Sequence, residues 1–354
     1  MLLHRPCTIK MTILLNTPFN ATWAARDIQS LKGSNHHIRS VTAYSKGLIL
    51  GIIESIWLLI RYRDAIWIHQ SAGPSSLIPC LLGKVFGHKN IIIAVGTDSA
   101  CFPEIDYGNF RKLTMRMPTV VSMKLADLIC PVHASMEGYE YTYWDVKHKR
   151  QGFKALIPSL TTPAYPIENG FDSMKWSAVK SYSDRKFDAI AVFVVGAANR
   201  SVLKGADLVL AISKRNPDLR FKIIGGVAAG WEVPENCTVV SNCSQSELAD
   251  HYNDAKLFLQ PSITEGFPNT LGEAMACGCF PIGSRVSSIP EIIGAHGLVL
   301  NRRDDYELEG LIRDALQRIA TGTVNMQEIS DSIFSRYSIE RRAQRLLQAI
   351  ERVA

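Results

Sequence analysis

Two carboxylates, Glu265 and Glu273, lie in the stretch PSITEGFPNTLGEAMACGC at residues 261–279. The strand pattern LFLQ ends near Pro261, and the residue pattern predicts a helix from about Asn269 to just before Gly278. The N–H groups and the positive dipole end of such a helix are suited to binding phosphate. The sequence therefore predicts an anion site beside two acidic residues.

The two glutamates must address another part of the same ligand, because a carboxylate repels a phosphate. A carboxylate accepts two hydrogen bonds from a diol, and such charge-assisted bonds are among the stronger polar contacts. A phosphate flanked by sugars satisfies both requirements, and Gly266 would let the backbone approach it closely. The alternative on spacing alone is a solvated loop residue at Glu265 and a helix-surface charge at Glu273.

The residues EGFPNTLGEAMACGCFPI resemble the signature of glycosyltransferase family 4, which consists of retaining enzymes of GT-B fold. The family pattern also occurs in order in VGTDSACFPEIDYG, ADLICPV, ENGFD and VFVVGAANRSVLKGADLVL. The resemblance implies that Glu273 binds the nucleotide ribose and that Glu265 contacts donor-sugar hydroxyls. It also implies that the intervening loop holds sugar and phosphate through its amides. The loop residues are Gly266, Phe267, Pro268, Asn269 and Thr270.

The leaving group of such a transfer is a nucleoside diphosphate, whose developing negative charge needs magnesium or fixed cations. No convincing Asp-x-Asp motif ends a strand, since RRDDYE at 302–307 follows the last predicted strand. Fixed cations are then expected, with no metal and no cofactor. By resemblance, Arg200 and Lys204 in GAANRSVLKG neutralise the diphosphate, although the family usually separates these residues by five positions and here the gap is four. The alternative is a solvated loop pair.

The acceptor side of the cleft is expected at NIIIAVGTDSA, where Gly96 and Asp98 follow a strand. Asp98 is predicted either to orient or deprotonate an acceptor hydroxyl, or to cap a turn. His69, at the end of AIWIHQ, either lines the same cleft or is simply hydrogen-bonded, which is the commoner role of a single histidine there. The first loop departs from the glycine-rich loop common in the family, so Asn20 and Thr22 are expected to cap a helix.

Short β-rich runs alternate with helical patterns along the chain, which is typical of parallel βα units. Wholly apolar runs such as IIIAV indicate strands buried on both faces. The first series is MTILLN, IRSVTAY, AIWIHQ, NIIIAVG and DLICPV, and the second is DAIAVFVVG, RFKIIGG, CTVVS, AKLFLQPS, CFPIG and GLVL. The sequence predicts an α/β protein with two doubly wound Rossmann-like domains facing a central cleft, the GT-B fold that the resemblance implies.

The chain has 354 residues, which exceeds the usual size of a domain with a single hydrophobic core. The segment 155–172 concentrates proline, threonine and glycine and is interpreted as the crossing between domains. We expect an acceptor-binding domain at 1–165 and a nucleotide-sugar-binding domain at 166–335. A C-terminal helix at 336–354 is expected to pack back toward the first domain.

The composition is that of a soluble globular protein, with 47% hydrophobic and 20% charged residues. Eight cysteines without CxxC spacing indicate reduced thiols rather than a disulfide framework or a zinc site. Arg5 and Lys10 interrupt the apolar start, and no small-residue cleavage site follows, which argues against a signal peptide. A cytoplasmic location is expected.

Positive charge is concentrated in the first half of the chain. Residues 1–160 hold 18 Lys and Arg against 10 Asp and Glu, whereas the remaining residues hold 21 against 23. This half is expected either to meet an anionic surface or substrate, or to present an ordinary basic surface. The apolar run 47–60 is too short for a membrane span and is expected mainly as a core helix. Residues 110–126 fit a core helix or a face that docks on the anionic inner surface of the cytoplasmic membrane.

The expected activity is that of a retaining, metal-independent glycosyltransferase. It would move a hexose-type sugar from a nucleotide-sugar donor to a hydroxyl of a glycan or lipid-linked acceptor in envelope polysaccharide synthesis, without a nucleic-acid partner. A sugar-nucleotide epimerase and a catalytically silent binding protein are the alternatives, although a silent protein typically loses Glu265, Glu273 or Lys204. A dehydrogenase is disfavoured because no G-x-G-x-x-G follows the first strand of either domain. Uridine diphosphate is favoured as the nucleotide on family frequency only.

Overall fold

The computed structural model describes residues 11–17, 27–28, 31, 36–41, 47–193, 198–241 and 243–354. Asn20, Thr22 and Gly196 lie outside these residues. Among the residues described, none of the helices combines the length and the apolar character that crossing a bilayer requires.

The first half of the chain forms a sheet of five parallel strands in the order β2-β1-β3-β4-β5. The strands are β1 (Thr12–Asn16), β2 (His37–Val41), β3 (Ile66–Gln70), β4 (Lys89–Ala94) and β5 (Leu128–Pro131). Helices α1 (Leu48–Arg61), α2 (Pro74–Phe86) and α3 (Leu113–Leu125) connect them. Residues 91–94 of β4 are fully buried, as the apolar run IIIA predicts for a strand covered on both faces.

A small hairpin follows the first sheet. It consists of β6 (Tyr139–Glu140) and β7 (Arg150–Gln151), which pair antiparallel, and is followed by the short helix α4 (Phe153–Leu156). The chain then runs in extended form beside β5, where backbone hydrogen bonds join Ile129 to Pro163 and Tyr165. This extended segment is the proline-rich stretch of the sequence.

The second half forms a sheet of six parallel strands in the order β10-β9-β8-β11-β12-β13. The strands are β8 (Phe187–Val192), β9 (Phe221–Ile224), β10 (Cys237–Val240), β11 (Ala255–Gln260), β12 (Phe280–Ser284) and β13 (Leu298–Leu300). The helices are α5 (Ala198–Lys204), α6 (Ala206–Arg215), α7 (Gln245–Asn253), α8 (Asn269–Ala276), α9 (Ile289–Ile293), α10 (Asp305–Ala320), α11 (Met326–Arg336) and α12 (Ile339–Val353). Every strand run predicted from the sequence contains a strand.

Each sheet reverses its winding direction at one point. In the first sheet β1 and β3 are neighbours, and in the second sheet β8 and β11 are neighbours. Ligands of open parallel sheets bind outside the carboxyl ends of the strands at such points. Residues that follow β8 and β11 are therefore placed where a ligand site is expected.

The last helix, α12, packs on the first sheet rather than the second. Arg342 of α12 donates to both carboxylate oxygens of Asp27, at 2.7 and 2.9 Å, and to the carbonyl oxygens of Ile167 and Glu168. Asp27 is fully buried and Arg342 is 6% exposed. The final residues of the chain therefore belong to the core beside the first sheet.

Candidate active site

Lys204 and Glu265 meet after the two strands at the reversal point of the second sheet. The Lys204 Nζ atom donates to Glu265 Oε1 at 2.5 Å, and the same oxygen accepts from Ser262 Oγ at 2.8 Å and Gln260 Nε2 at 3.0 Å. The Gln260 Oε1 atom in turn accepts from Thr270 Oγ1 at 3.1 Å. This network fixes a carboxylate and an ammonium group at the carboxyl end of β11.

The loop that carries Glu265 is held from the side of α5. The Ile263 N–H donates to the carbonyl of Leu203 at 2.8 Å. Gly205, at φ 77°, packs so closely on Pro261 that a Cβ atom would lie 2.5 Å from the Pro261 carbonyl oxygen. A side chain at Gly205 would push α5 away from the loop, so this glycine is needed for the approach of Lys204.

Helix α8 begins at Asn269 and ends before Gly278, which has φ 74°, and this confirms the predicted helix. Its cap, Pro268, provides no side-chain hydrogen bond, and its first turn contains no acidic residue. Within residues 261–280 only Glu265, Asn269 and Thr270 are partly exposed, and all the others are buried. The accessible positions of this stretch are therefore a carboxylate and the first turn of a helix whose N–H groups are suited to an anion.

Glu273 lies in the second turn of α8 and is 8% exposed. The Tyr252 hydroxyl donates to Glu273 Oε2 at 3.4 Å. Burial, together with the charge of Glu273, raises the pKa of Tyr252 well above its usual value, so this hydroxyl stays protonated. The alternative in which Glu273 is a helix-surface charge does not agree with its burial.

Arg200 faces the first half of the chain across the cleft. It lies one helical turn before Lys204 in α5. Its guanidinium lies over the Tyr107 ring, 5.9 Å from the ring centroid. Arg200 and Tyr107 both line a pocket of about 470 Å³. Other walls of the pocket are the start of α2 and the residues before and within α3, among them Ser75, Arg111 and Met115. Burial raises the pKa of Tyr107 above its usual range, so this phenol stays neutral beside Arg200.

Asp98 is fully buried behind Ala72 and Thr97, which line this pocket. Its carboxylate accepts from the backbone N–H groups of Ala72 at 3.0 Å and of Val95 and Gly96 at 3.1 Å. Burial raises the pKa of Asp98, and these three donors oppose that rise. Of the two roles that the sequence allows, the structure favours the turn cap, because the carboxylate joins two loops and has no surface open to an acceptor.

His69 is also buried, at 1% exposure, and is held on both sides of its ring. Its Nδ1 lies 3.1 Å from Asn16 Nδ2 and its Nε2 lies 3.0 Å from Asn90 Oδ1. These partners fit a neutral imidazole that carries its proton on Nε2. Burial lowers the pKa of His69 to about 4, so the ring is a neutral core group.

Gly266 packs on the first half of the chain rather than standing open to a ligand. A Cβ atom on Gly266 would lie 2.3 Å from the Val95 carbonyl oxygen, and a Cβ atom on Gly96 would lie 3.3 Å from Gly266 N. The adjacent Phe267 side chain is buried against His133, Phe171 and Tyr337. The two halves of the molecule therefore meet backbone to backbone beside Glu265.

Three tyrosines of the β6–β7 hairpin hold the same loop from the opposite side. The Tyr141 hydroxyl donates to the Ile263 carbonyl at 2.9 Å, and the Tyr143 hydroxyl donates to the Pro261 carbonyl at 3.3 Å. Tyr139 hydrogen-bonds to Thr264. The alternating tyrosines of YEYTY thus contact three of the four residues 261–264.

Sequence reasoning missed Gln260, Ser262, Tyr107, Tyr252 and the tyrosine hairpin. The polar Gln260 at the end of the apolar run LFLQ was an available signal, because a polar residue at the carboxyl end of a buried parallel strand faces the ligand edge. Tyr107 and Tyr252 carry no such signal, since their positions depend on contacts between distant parts of the chain.

Comparisons with known proteins find similarity to glycosyltransferases. Residues 190–318 match the family model described as Glycosyl transferases group 1. A component of the phosphatidylinositol N-acetylglucosaminyltransferase of Arabidopsis thaliana is 23% identical over 312 residues, which cover 82% of this chain and 62% of the plant protein. The serotype-specific mannosyltransferase WbdA of Escherichia coli is 37% identical over 73 residues, 21% of this chain and 9% of that protein. The chain thus spans less than two thirds of either relative.

Two solved structures resemble the whole chain. Sucrose-phosphate synthase from Thermosynechococcus elongatus has a TM-score of 0.77 at 14% identity, covering 97% of this chain and 99% of that one. Anabaena Alr3699/HepE, solved in complex with UDP and glucose, has a TM-score of 0.71 at 13% identity, covering 97% and 100%. At these identities the likeness shows the fold, and it confirms the GT-B architecture.

Proposed function

We propose that this chain, which has the GT-B fold and matches the glycosyl transferases group 1 family over residues 190–318, is a glycosyltransferase that uses a nucleoside-diphosphate sugar. One observation carries the proposal: the Lys204–Glu265 pair lies at the winding reversal of the second sheet, next to the first turn of α8. A cation and free helix N–H groups suit a diphosphate, and a fixed carboxylate suits sugar hydroxyls.

In the proposed mechanism Lys204, Arg200 and the N–H groups of Asn269 and Thr270 stabilise the negative charge that develops on the diphosphate as the glycosidic bond breaks. Fixed cations perform this role without a metal. Glu265 accepts hydrogen bonds from hydroxyls of the donor sugar. Its orientation is already set by Gln260 and Ser262, so little rearrangement is needed when the sugar binds.

Glu273 is proposed to bind the ribose diol of the nucleotide, with the Tyr252 hydroxyl orienting its carboxylate. The acceptor hydroxyl is proposed to enter through the pocket lined by Tyr107 and Arg200, while Asp98 shapes the pocket walls as a positioning residue. Attack on the face from which the diphosphate leaves gives retention, with the departing phosphate accepting the proton of the acceptor hydroxyl.

The substrate class is proposed from the names of the two relatives. One is named for transfer of mannose and the other for transfer of N-acetylglucosamine to phosphatidylinositol. A hexose-type donor sugar agrees with both names. A glycan or lipid-linked acceptor, with envelope polysaccharide assembly as the setting, is proposed with it. We accordingly propose that the chain is a retaining enzyme of family 4 and that it acts at the inner face of the cytoplasmic membrane.

The test begins with thermal shifts of the protein in uridine, guanosine and adenosine diphosphates and their sugars. The affinity of the best ligand is then measured for the wild type and for the variants Lys204→Ala, Glu273→Ala and Tyr252→Phe. Because a charge-assisted hydrogen bond is worth roughly 1.5–3 kcal/mol, each alanine variant is expected to weaken binding about tenfold or more. Tyr252→Phe is expected to weaken it less, since Glu273 remains.

Lys214→Ala is the matched control, because Lys214 forms a lysine–glutamate pair with Glu232 that is exposed. Unchanged affinity in both Lys204→Ala and Glu273→Ala would contradict the proposed site. Incubation of the chosen donor alone separates an epimerase, which would convert the sugar without an acceptor. Proton NMR of the product reports the anomeric configuration, and activity in a chelator reports the metal requirement.

A further inference from the structure

Helix α1 carries a row of large apolar side chains that the fold leaves exposed. Its inner face, including Ser55, Leu58 and Leu59, is buried against the first sheet. Its outer face is apolar as well, which differs from the core helix expected for residues 47–60. The outer residues, with their exposed fractions, are Ile49 (74%), Leu50 (51%), Ile53 (59%), Ile56 (39%), Trp57 (50%) and Ile60 (60%).

The apolar surface continues onto the two neighbouring helices. Helices α1 and α2 pack side by side, as do α2 and α3. Val85 and Phe86 at the end of α2 are 76% and 56% exposed, and Leu113 and Met117 at the start of α3 are 70% and 51% exposed. A monomer in water seldom exposes so many large apolar residues on three neighbouring helices, and such residues mark a protein or membrane contact.

The charges beside this face are mainly positive. Arg61 ends α1, Arg63 follows it, Lys84 is on α2 and Arg116 is on α3, and all four are exposed. Arg39 lies over the Trp57 ring at 5.1 Å. Glu54 and Asp64 are the acidic residues of α1 and the turn after it, so the cations outnumber them. A second copy of the chain would bring like charges together, whereas an anionic lipid surface complements them.

The face reaches the edge of the sheet where the pocket opens. Met115 of α3 lines the pocket between Leu113 and Met117, and the first residues of α2 line its opposite wall. Helix α1 follows β2, so its first exposed residue, Ile49, lies toward the carboxyl edge of the sheet. From Ile49 to Ile60 the row is about 16 Å long at 1.5 Å per residue. One flat surface can therefore contact the row and lie beside the pocket mouth.

We propose that the outer face of α1, extended by the end of α2 and the start of α3, docks on an anionic lipid bilayer. The apolar side chains enter the boundary between head groups and acyl chains while the flanking arginines and lysine contact anionic head groups. A lipid-linked acceptor then meets the pocket at the membrane surface, and this last consequence rests on the proposed function. Docking itself requires neither donor nor acceptor.

Co-sedimentation of the whole protein with vesicles tests the docking. Phosphatidylcholine vesicles that contain phosphatidylglycerol are compared with pure phosphatidylcholine vesicles, at low and at high salt. Binding is expected on the anionic vesicles at low salt, and to fall steeply with salt or without phosphatidylglycerol. The combined variant Ile49→Gln, Ile53→Gln and Ile60→Gln is expected to lose roughly tenfold or more in binding, because each side chain leaves an apolar medium.

Two further variants separate charge from apolar contact. Arg61→Gln, Arg63→Gln and Arg116→Gln together are expected to lose roughly a hundredfold in binding to anionic vesicles, at about 1 kcal/mol per cation. Met174→Gln, Val179→Gln and Tyr306→Gln together replace exposed apolar residues elsewhere, at 92%, 70% and 71% exposure, and should bind as the wild type does. The isoleucine, arginine and control combinations all alter exposed side chains. Each should unfold at the same temperature as the wild type, and this measurement checks that each is folded.

Several results would overturn the docking proposal. These are undiminished vesicle binding by the triple glutamine variant of α1, equal binding to neutral and anionic vesicles, and absence of wild-type binding. A wild-type dimer that the α1 variant converts to a monomer, without vesicle binding, would assign the face to a second copy. Donor affinity is measured on the same proteins. Vesicle binding without donor binding would contradict the proposed function and leave the docking intact. Donor binding without vesicle binding would contradict the docking and leave the proposed function intact.

Discussion

Single polar residues at strand ends determine the chemistry of the candidate site. Gln260 and Ser262 donate to Glu265, and Lys204 completes the set of donors to one carboxylate oxygen. Beside the first sheet, Asp98 and His69 are also polar residues that follow or end a strand, yet both are buried and hydrogen-bonded. In the first group Glu265 and Lys204 are partly exposed and so open to a ligand, while Gln260 and Ser262 hold them from buried positions. Asp98 and His69 maintain the walls.

His69 makes stability depend on pH. Its pKa is lowered by burial to about 4, against 6.5 for the ordinary side chain, so the unfolded chain binds a proton more readily than the folded one. The free energy of unfolding should therefore fall as pH falls from about 6.5 to 4, by about 2 kcal/mol between pH 7 and pH 5 from this residue. Urea unfolding of the wild type and of His69→Asn at both pH values measures the difference.

The informative quantity for His69→Asn is the change of its unfolding free energy with pH, and not the unfolding free energy at one pH. His69→Asn loses hydrogen bonds to Asn16 and Asn90 at every pH, but it also loses the titrating group. Its stability should depend less on pH than that of the wild type across this interval. An equal pH dependence in both proteins would show that His69 is not buried in neutral form.

The sequence identified the residues that carry local signals. The turn and helix pattern around EGFPNTLGE predicted the start of α8 at Asn269 and its end before Gly278, because helix boundaries depend on neighbouring residues. It did not predict that Gly266 packs on Val95 and Gly96, since that contact joins positions more than a hundred residues apart. Site assignments from the family motif remain predictions until ligand binding is measured.

Among the elements, the β6–β7 hairpin makes the most direct contacts with the loop that carries Glu265. Tyr141 and Tyr143 contact the carbonyls of Ile263 and Pro261, while α5 holds the Ile263 N–H from the other side. The loop before Glu265 is therefore fixed between an element of each half. The pattern YEYTY resembles an ordinary strand in sequence, so nothing local indicates this role.

Removal of one hydroxyl from this hairpin should affect both stability and donor binding. Tyr141→Phe leaves the buried Ile263 carbonyl without its side-chain donor, which costs about 1–3 kcal/mol of unfolding free energy. Because Ile263 lies two residues before Glu265, donor affinity should fall as well. Urea unfolding and donor titration measure the two effects.

Tyr306→Phe provides the control, since Tyr306 is 71% exposed. It should match the wild type in both measurements. A Tyr141→Phe protein with reduced stability and unchanged donor affinity would show that the hairpin supports the fold without positioning the loop.

The apolar pattern predicted that α1 forms but not that its outer face stays exposed. Helical periodicity shows which residues share a face, and here both faces are apolar. Whether a second layer covers the outer face depends on the rest of the chain. For this reason the sequence favoured a core helix where the structure exposes six large side chains.

At the scale of the whole molecule, the last helix connects the two halves. Helix α12 follows α11 and the second sheet along the chain, yet Arg342 pairs with Asp27 in the first half. The crossing segment and the return segment also meet, because the Phe171 N–H donates to the Tyr337 carbonyl at 2.9 Å. The two passages between the halves therefore lie side by side.

Arg342→Met should destabilise the protein by about 3–5 kcal/mol, because it leaves the buried Asp27 carboxylate without its cation. The neighbouring Arg341 is exposed, and Arg341→Met should change stability by less than about 0.5 kcal/mol. Chemical unfolding of both variants measures the effect. Equal stability of the two would contradict the assignment of α12 to the core of the first half.

The Asp27–Arg342 pair also bears on the order in which the protein is assembled during translation. The two residues are 315 positions apart, and the carboxylate leaves the ribosome long before its cation is synthesised. Until α12 emerges, the nascent first sheet has an acid beside its core without a counter-ion and an uncovered apolar side. We therefore expect stable folding of the amino-terminal half to be a late event, and ribosome-bound chains stalled before residue 339 should recruit chaperones and remain open to proteases.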